Sequence, residues 1–316
     1  MLKPAEQAPI VAQKVVAALD EAGLLAGVIN LVTGGGETVG DELVTNDRVD
    51  AISFTGSAAV GIEVYQTATA GGKRTQCEMG GKNPTVVMPS ADLDMATRAV
   101  ASGAFGGTGQ ACTACSHAIV HTDVHDEFFG RIVDHAEYIE IGPGLEAPDI
   151  GPQVVESERD STLDYIEVGQ TEGAILETGG GVPEDDRLSK GYFTEPMVFS
   201  GVESTMRIAH EGTFGPVLAV IEVDGFDEAI DVANDIDYGL SGSIITEDHG
   251  EANQFVDRGR RSKGKPENDG TGTPRAIRRL QAVLQRDLVR TGPRRSSVLH
   301  HLEDSVRRLL ETGFRP

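Results

Sequence analysis

Two side chains suited to covalent catalysis, Glu78 and Cys112, lie 34 positions apart in this chain. Cys112 lies in the run G-T-G-Q-A-C-T-A-C, and Glu78 lies in C-E-M-G-G-K-N-P. A thiol in a glycine-rich turn, followed by small residues that can open a helix, is in a setting that lowers its pKa and makes it nucleophilic. A separate carboxylate flanked by glycines can act as a base for water. The pattern predicts a thioester mechanism, in which the cysteine attacks a carbonyl and the glutamate activates the water that releases the acid.

The other cysteines and the histidines do not form a metal-binding pattern. Cys115 makes C-x-x-C with Cys112, which in isolation is typical of a redox motif or of half a zinc site. No second pair lies nearby, so we expect no zinc, and Cys77 is interpreted as a small packed side chain beside the base. The eight histidines lack H-x-x-H and H-E-x-x-H spacing, so no metal site is predicted.

The elements that would position these residues alternate between strand and helix. An amphipathic helix is predicted over 8–22, and strands over 28–32 and 51–54 are each followed by a glycine turn and a helix, the second over 58–67. Such alternation indicates an α/β fold with helices on the faces of a parallel sheet. Each glycine turn places backbone N–H groups at a helix start, where a phosphate can bind, although G-G-G is also an ordinary tight turn.

A second α/β region is predicted to begin after Gly81. Its expected elements are strand 84–88, helix 93–105, strand 118–120, helix 124–139, strand 217–223, helix 227–234 and strand 242–246. The polar, glycine-rich stretch 179–191 is interpreted as a loop.

Composition favours a globular protein of the cytoplasm. The 316 residues are enough for two domains. No apolar run is long enough for a membrane span, and the N-terminus M-L-K-P-A-E lacks the basic and apolar regions of a signal peptide. Three cysteines give no disulfide framework, which fits a reducing compartment. We therefore expect a cytoplasmic protein with no membrane partner.

The formal net charge of −23 is unevenly distributed along the chain. Residues 1–257 contain 12 Lys+Arg and 44 Asp+Glu, whereas residues 258–316 contain 15 Lys+Arg and 6 Asp+Glu. The acidic part has the composition of a protein that stays solvated at high ionic strength, so a salt-adapted, halophilic host is expected. Blocks of basic residues are often nucleic-acid-binding arms. A shift of the reading frame within the gene explains the arginines of residues 258–316 more simply, so we expect no nucleic-acid partner.

Four motifs occur in the order and spacing of one enzyme family. They are F-T-G-S from Phe54, E-M-G-G-K-N-P from Glu78, G-Q-A-C ending at Cys112 and F-G-P-V from Phe214. Over residues 1 to about 257 the chain resembles the aldehyde dehydrogenase superfamily. Its T-G-Q-A-C-T-A-C-S variant is most similar to the branch that oxidises α-ketoglutarate semialdehyde (2,5-dioxopentanoate). The resemblance implies an aldehyde dehydrogenase-like α/β fold, with a partial Rossmann-type, NAD-binding cofactor domain at 1–80 and an α/β catalytic domain at 81–257.

The resemblance also implies catalytic roles for the first two residues. Cys112 would be the nucleophile and Glu78 the base for deacylation. The reaction would pass through a thiohemiacetal, hydride transfer to a nicotinamide, and a thioester. The backbone N–H of Cys112 would be one donor to the oxyanion. The substrate would be a small aldehyde, and the family forms homo-oligomers.

Six further residues match cofactor-binding positions of the family. These are Lys3 and Glu6 at the adenosine ribose, Gly56 and Ser57 at the pyrophosphate, Gly61 at a close helix contact, and Phe214 beside the nicotinamide ribose. A carboxylate at the adenosine ribose hydrogen-bonds a free 2′-hydroxyl and repels a 2′-phosphate. The resemblance therefore implies NAD as the cofactor, with NADP as the alternative.

The chain departs from the family pattern at its start and at Gly212. The family has a substantial segment before K-P-A-E, which supplies opening strands of the cofactor domain, part of the oligomerisation hairpin and an asparagine of the oxyanion hole, whereas Lys3 is almost the first residue here. Loss of one oxyanion donor commonly costs about 10² to 10³ in rate. Gly212 stands where the family has a glutamate that holds the nicotinamide ribose, so Glu211 is expected to point elsewhere. Impaired catalysis and doubtful assembly are expected.

The basic segment 258–316 has no family resemblance as written. Read one nucleotide forward with permitted codons, residues 263–281 can give K-V-N-R-K-T-T-G-L-E-L-H-V-P-F-G-G-F-K, a late segment of the family. A frameshift at 258–262 would make 258–316 an out-of-frame, poorly ordered tail, in which C-G-G arginine codons arise from shifted G-G-C glycine codons. Three hypotheses stay open: a working aldehyde dehydrogenase, an inactive product of a degraded gene, and a nucleic-acid-binding module that uses the tail.

Overall fold

Two β-sheets organise the part of the chain that the structure describes. The computed structural model describes residues 1–259 and 279–284. A two-stranded parallel sheet lies in the first 80 residues, and a seven-stranded sheet follows it. Helices alternate with most strands of both sheets. The α/β class predicted from the sequence is therefore confirmed.

The first sheet joins two strands that each carry site residues at their carboxyl end. Its strands run parallel, with Thr55 opposite Glu78 and Gly56 opposite Met79. A single π-helical turn, Gly36–Gly40, lies ahead of them. The elements of this part are α1 (Pro9–Glu21), α2 (Asp41–Thr45), β1 (Ala51–Gly56), α3 (Ala58–Ala70) and β2 (Arg74–Met79).

The strand predicted at 28–32 is wrong in extent. Only one isolated parallel bridge forms there, between Leu2 and Leu31. The N–H of Leu2 donates to the O of Asn30 at 2.9 Å, and the N–H of Val32 donates to the O of Leu2 at 3.0 Å. A ladder needs a partner of matching length, and within the described residues only the short stretch around Leu2 pairs with this run.

The second sheet has the strand order β5-β6-β7-β4-β3-β8-β9, and all of its neighbouring strands are parallel except the antiparallel pair β5 and β6. Its strands are β3 (Asn83–Val87), β4 (Cys115–His121), β5 (Ile175–Thr178), β6 (Met197–Ser200), β7 (Val217–Val223), β8 (Ser241–Thr246) and β9 (Arg279–Leu284). The helices around it are α4 (Leu93–Phe105), α5 (Thr122–Glu137), α6 (Glu156–Glu172), α7 (Arg207–His210), α8 (Phe226–Asn234) and α9 (His249–Arg258).

The core lies on both faces of the central strands. Successive residues of a strand point to opposite faces, and Val87 accordingly packs with α4 and α5 while Val86 packs with α8 and α9. A third cluster joins β6 and β7 to α6 and α7. Strands covered on both faces read as near-continuous apolar runs, which is why β3, β4 and β7 were recognisable from the sequence.

The boundaries of α4 follow from its capping residues. Asp92 lies at the N-cap, and its side chain accepts a hydrogen bond of 2.9 Å from the N–H of Met95. Gly106 lies at the C-terminal end. Both boundaries match the predicted helix 93–105, because an N-cap aspartate and a terminal glycine are readable signals.

The segment 258–316, predicted to be a poorly ordered tail, falls mostly outside the described residues. Six of its residues form β9, which pairs in parallel with β8 at the edge of the second sheet. The last residue of α9, Arg258, belongs to the folded part, and the charge boundary near 258 coincides with the end of that helix. The loop predicted at 179–191 contains one short 3-10 turn, Asp186–Leu188.

Candidate active site

Cys112 follows a tight turn with a left-handed backbone. The φ angles are +61° at Gly107, +62° at Thr108 and +67° at Gly109. A β-carbon at Gly109 would lie 2.1 Å from the carbonyl oxygen of Gly215, so no larger residue fits without moving the backbone. The Cys112 side chain itself is exposed. The turn thus presents the thiol to solvent and brings its own backbone against the segment around Gly215.

No helix begins after Cys112, contrary to the expectation from the small residues that follow it. The N–H of Ala114 donates to the O of Ala111 at 3.0 Å, which closes a turn, and the chain then enters β4 at Cys115. Strands pair with β4 on both sides, and this pairing outweighs the helix propensity of the alanines. A helix dipole therefore does not act on the thiol.

Asn83 holds the turn of Cys112 in place. Its side-chain amide donates to the O of Cys112 at 2.9 Å and to the O of Ala114 at 2.8 Å, and its Oδ1 accepts from the N–H of Ser241 at 3.1 Å. All hydrogen-bonding groups of this buried amide are used. No role was predicted for Asn83 from the sequence. Its position in the glycine-flanked G-G-K-N-P run was the available signal.

Glu78 lies at the carboxyl end of β2. Its Oε1 accepts a hydrogen bond of 3.2 Å from the side-chain amide of Gln76, and its side chain is partly exposed. The chain passes from the end of β2 to Asn83 through only three residues, 80–82. Glu78 and Cys112 make no hydrogen bond to each other. Glu78 lies five residues before Asn83, whose side chain donates to the backbone of Cys112. The carboxylate is partly exposed and the thiol is exposed, so solvent reaches both.

Cys77 and Cys115 do not resemble reactive thiols. The Sγ of Cys77 donates to the O of Gly61 at 3.4 Å, and burial raises its pKa. Burial raises the pKa of Cys115 to about 11. Since the thiolate is the reactive form, the exposed Cys112 is the better nucleophile of the C-x-x-C pair.

The turn after β1 has the features of a phosphate-binding site. Gly56 ends the strand, and Ser57 is the N-cap of α3, with its Oγ accepting from the N–H of Val60 at 3.4 Å. The first turn of α3 contains no acidic residue. A β-carbon at Gly61 would lie 2.6 Å from Sδ of Met79, so this glycine allows α3 to pack closely on β2. An exposed helix N-terminus of this kind can hold an anion such as a pyrophosphate.

Lys3 and Glu6 both lie against the π-helical turn Gly36–Gly40. The Oε1 of Glu6 accepts from the N–H of Gly36 at 2.9 Å. The aliphatic chain of Lys3 lies 3.9 Å from the position of a β-carbon at Gly40, and its Nζ donates to the O of Pro4 at 3.1 Å. The two residues matched to a ribose site are thus brought to one place, and Glu6 keeps one carboxylate oxygen available.

The segment from Glu211 to Phe214 links α7 to β7 and contains Gly212 and Phe214. The Phe214 side chain is 45% exposed, so its ring is available to a ligand. A β-carbon at Gly212 would lie 3.4 Å from the O of Gly81, which places this glycine beside the link that follows Glu78.

Glu211 points away from this segment, as expected from the sequence. Its carboxylate accepts a hydrogen bond of 3.0 Å from the hydroxyl of Tyr165 and pairs with the guanidinium of Arg207 at 2.8 Å. The Arg207 guanidinium lowers the pKa of Glu211. Glu211 therefore does not substitute for a side chain at Gly212.

Lys82 is a buried amine in the three-residue link between β2 and β3. It is 1% exposed, and burial lowers its pKa to about 7, although the nearby Cys115 and Glu211 oppose that shift. The pKa of the buried His117 lies well below its usual value, first because of burial and second because of Lys82. Both side chains are therefore largely neutral above neutral pH.

Lys82→Met is expected to remove a pH dependence of stability. Between about pH 7 and pH 8.5 the unfolded lysine holds a proton that the folded one loses, so the free energy of unfolding rises with pH, by at most about 1.4 kcal/mol per pH unit. Urea unfolding across this range should show the rise in the unmodified chain and a flatter profile in the variant. Lys190→Met, at an exposed lysine, is the control and should keep the rise. If the free energy of unfolding of Lys82→Met rose with pH as steeply as that of the unmodified chain, the lowered pKa of Lys82 would be contradicted.

Several features of the first 61 residues are those of a dinucleotide site. Within 1–259 and 279–284, no three His, Cys, Asp or Glu side chains are grouped so that they could hold a metal ion. The glycine turn before α3, the close approach at Gly61 and the convergence of Lys3 and Glu6 fit an extended ligand with a pyrophosphate and a ribose. None of the helices in this part of the chain has the length and apolar character needed to cross a membrane.

Comparisons with known proteins agree with this geometry. Residues 1–263 match the model of the aldehyde dehydrogenase family. An α-ketoglutarate semialdehyde dehydrogenase from Haloferax volcanii is 57% identical over 257 residues, which cover 81% of this chain and 53% of that protein. A 2,5-dioxopentanoate dehydrogenase from Saccharolobus solfataricus is 43% identical over 260 residues, 82% of this chain and 54% of that protein.

Solved structures give the same result. A betaine aldehyde dehydrogenase from Staphylococcus aureus, solved in complex with NAD+, has a TM-score of 0.79 and 34% identity, over 81% of this chain and 51% of that one. HpcC from Thermus thermophilus has a TM-score of 0.81 and 35% identity, over 89% of this chain and 52% of that one. The chain spans about half the length of the relatives that it matches. From its motifs, its fold and these matches, the chain belongs to the aldehyde dehydrogenase family.

Proposed function

We propose that this chain oxidises an aldehyde to a carboxylic acid with NAD as the electron acceptor. Cys112 is the nucleophile and Glu78 the base. The observation that carries the proposal is the anchoring of the Cys112 turn by Asn83, at 2.9 Å to the O of Cys112 and 2.8 Å to the O of Ala114. This anchoring attaches the backbone of the exposed Cys112 to a residue five positions after the partly exposed Glu78, and covalent catalysis requires a nucleophile and a base that are held in place.

In the proposed reaction, Sγ of Cys112 attacks the carbonyl carbon and forms a thiohemiacetal. The backbone N–H of Cys112 donates to the oxygen that gains charge. NAD supplies a hydride acceptor, and removal of the hydride leaves a thioester on Cys112. Glu78 then takes a proton from water, whose oxygen attacks the thioester carbon. The carbon–sulfur bond breaks, the acid leaves, and the thiolate is restored.

The residues proposed to hold NAD lie in the first 61 residues of the chain and on the segment before β7. Gly56 and Ser57 would hold the pyrophosphate, and Gly61 lets α3 approach closely. Lys3 and Glu6 would hold the adenosine ribose, and the carboxylate of Glu6 favours NAD over NADP because it repels a 2′-phosphate. Phe214 would lie beside the nicotinamide ribose. On this proposal residues 1–80 bind the cofactor and residues 81–257 carry the chemistry.

For the substrate we propose a small polar semialdehyde, α-ketoglutarate semialdehyde (2,5-dioxopentanoate). Two relatives named for it are 57% and 43% identical to this chain over about the same residues. The T-G-Q-A-C-T-A-C-S run around Cys112 supports the same branch.

We further propose that turnover is slow. Gly212 provides no side chain at a position matched to a ribose-holding glutamate, and Glu211 is bound instead to Tyr165 and Arg207. Poor positioning of the nicotinamide lowers the rate of hydride transfer. The alternative is an inactive product, which the same assay distinguishes.

The test is production of NADH from NAD and 2,5-dioxopentanoate by the purified chain. Cys112→Ser should lower the rate by on the order of 10⁴-fold or more, whereas the control Cys115→Ser, at the buried neighbouring thiol, should retain most of it. Gly212→Glu should raise kcat. Equal rates in Cys112→Ser and the unmodified chain would exclude the proposed nucleophile, and no NADH from any form would support the inactive alternative.

A further inference from the structure

The segment 151–154 lies between the Cys112 turn and the Phe214 segment. It follows a loop and precedes α6. Its polar groups form hydrogen bonds both to the Cys112 turn and to the Phe214 segment. Gln153 is the only member of this segment with a long polar side chain, and it is 2% exposed. A buried amide is costly unless all its groups are hydrogen-bonded, so the partners of Gln153 reveal what it holds.

The side chain of Gln153 binds the Phe214 segment to α6. Its Nε2 donates to Oγ1 of Thr162 at 2.7 Å and to the O of Phe214 at 3.2 Å. Its Oε1 accepts from Oγ1 of Thr194 at 2.9 Å. A β-carbon at Gly215 would lie 3.0 Å from Nε2 and 2.3 Å from Oγ1 of Thr162, so the backbone after Phe214 is packed directly against this network.

The backbone on either side of Gln153 binds the Cys112 turn. The side chain of Gln110 donates to the O of Pro152 at 3.2 Å and accepts from the N–H of Val154 at 2.9 Å. Oγ1 of Thr108 donates to the O of Gly151 at 3.0 Å. Two residues of the turn that leads to the nucleophile are therefore attached to the same four-residue segment.

We propose that Gln153 is a positioning residue that fixes the Cys112 turn relative to the Phe214 segment. Its side chain sets the position of Phe214, and its backbone neighbours set the position of Gln110, two residues before the nucleophile. The catalytic consequence rests on the proposed function, because it concerns the alignment of thiol and cofactor. A displacement of about 1 Å at such a site can lower the rate about 10²-fold.

A purely structural role is the competing interpretation. Gln153 would then stabilise the fold like any satisfied buried amide, and losing any hydrogen bond of the network would have the same effect. The positioning role differs because it requires local loosening at two places, the peptides covering 107–114 and 211–216. Thr194 bonds to Gln153 but to neither of these places, so Thr194→Val is a matched control.

The test is hydrogen exchange of backbone amides in Gln153→Met, Thr194→Val and the unmodified chain, together with kcat and KM. In Gln153→Met we expect faster exchange in both 107–114 and 211–216, and a kcat lower by about 10 to 10²-fold with a smaller change in the KM for aldehyde. In Thr194→Val we expect neither change. Unchanged exchange in either peptide of Gln153→Met, or the same pattern in Thr194→Val, would overturn the proposal.

A second variant covers the case in which Gln153→Met fails to fold. Gln110→Met acts at a partly exposed side chain and removes its bonds to the O of Pro152, the N–H of Val154 and the O of Gly107. Hydrogen exchange should become faster in 107–114 and stay unchanged in 211–216. If exchange became faster in neither peptide, the proposal would again be overturned. If exchange responds as expected but the unmodified chain makes no NADH, the positioning role stands and the proposed function fails.

Discussion

Gly109→Ala is expected to destabilise the chain severely and to remove its activity. The new β-carbon would lie 2.1 Å from the carbonyl oxygen of Gly215 and 3.0 Å from that of Ala104, and both are backbone atoms that cannot rotate away. A residue with a β-carbon at φ +67° adds its own strain of about 1 to 2 kcal/mol. With overpacking, the loss should reach about 4 kcal/mol, measured by urea unfolding.

Gly107→Ala is the matched control for this expectation. Gly107 has almost the same φ, +61°, but a β-carbon there meets no atom within 4 Å. Only the backbone strain remains, so the loss should be about 1 to 2 kcal/mol. Equal losses in the two variants would mean that the contact between Gly109 and Gly215 does not exist as described, and the close approach of the two site segments would be wrong.

Glu78→Gln is expected to stop the reaction after one turnover. The amide cannot take a proton from water, so the thioester on Cys112 should form but hydrolyse slowly. Rapid mixing with NAD and semialdehyde should give a burst of up to one NADH per chain, followed by a steady rate lower by about 10² to 10⁴-fold.

Glu63→Gln controls for the change in net charge, since Glu63 is exposed on α3. Its time course of NADH formation should match that of the unmodified chain. A Glu78→Gln variant with an unchanged steady rate would show that another group activates the water.

The parts of this fold that the sequence predicted best are those with two independent signals. The helix 93–105 has an N-cap aspartate, an apolar periodicity and a terminal glycine. The strand 217–223 has an apolar run broken only by Glu222, and four of its residues are β-branched. In contrast, α6 (Glu156–Glu172) was missed because its apolar residues are few among many acidic ones. β9 was missed because the segment containing it was interpreted as out of frame.

The sequence indicated which types of residue form the candidate site. It did not indicate the residues that hold them in position, Asn83 and Gln153. The glycine turn and the motif order identified Cys112 and Glu78. The role of Asn83 depends on parallel pairing of β3 with β4, and that of Gln153 on contacts with residues up to 61 positions away. The periodicity of apolar residues along a sequence does not indicate which distant residues will contact each other. The helix expected after Cys112 failed for the same reason, because the sheet around β4 determines the conformation there.

The most direct test of the account is the mass of the Cys112 peptide from the Glu78→Gln variant, quenched in acid after incubation with NAD and 2,5-dioxopentanoate. The proposed role of Cys112 as the nucleophile requires that its peptide gain the mass of the acyl group, dependent on NAD, and that Cys77 and Cys115 carry no adduct. An unmodified Cys112 after an NADH burst, or an adduct on another cysteine, would contradict it.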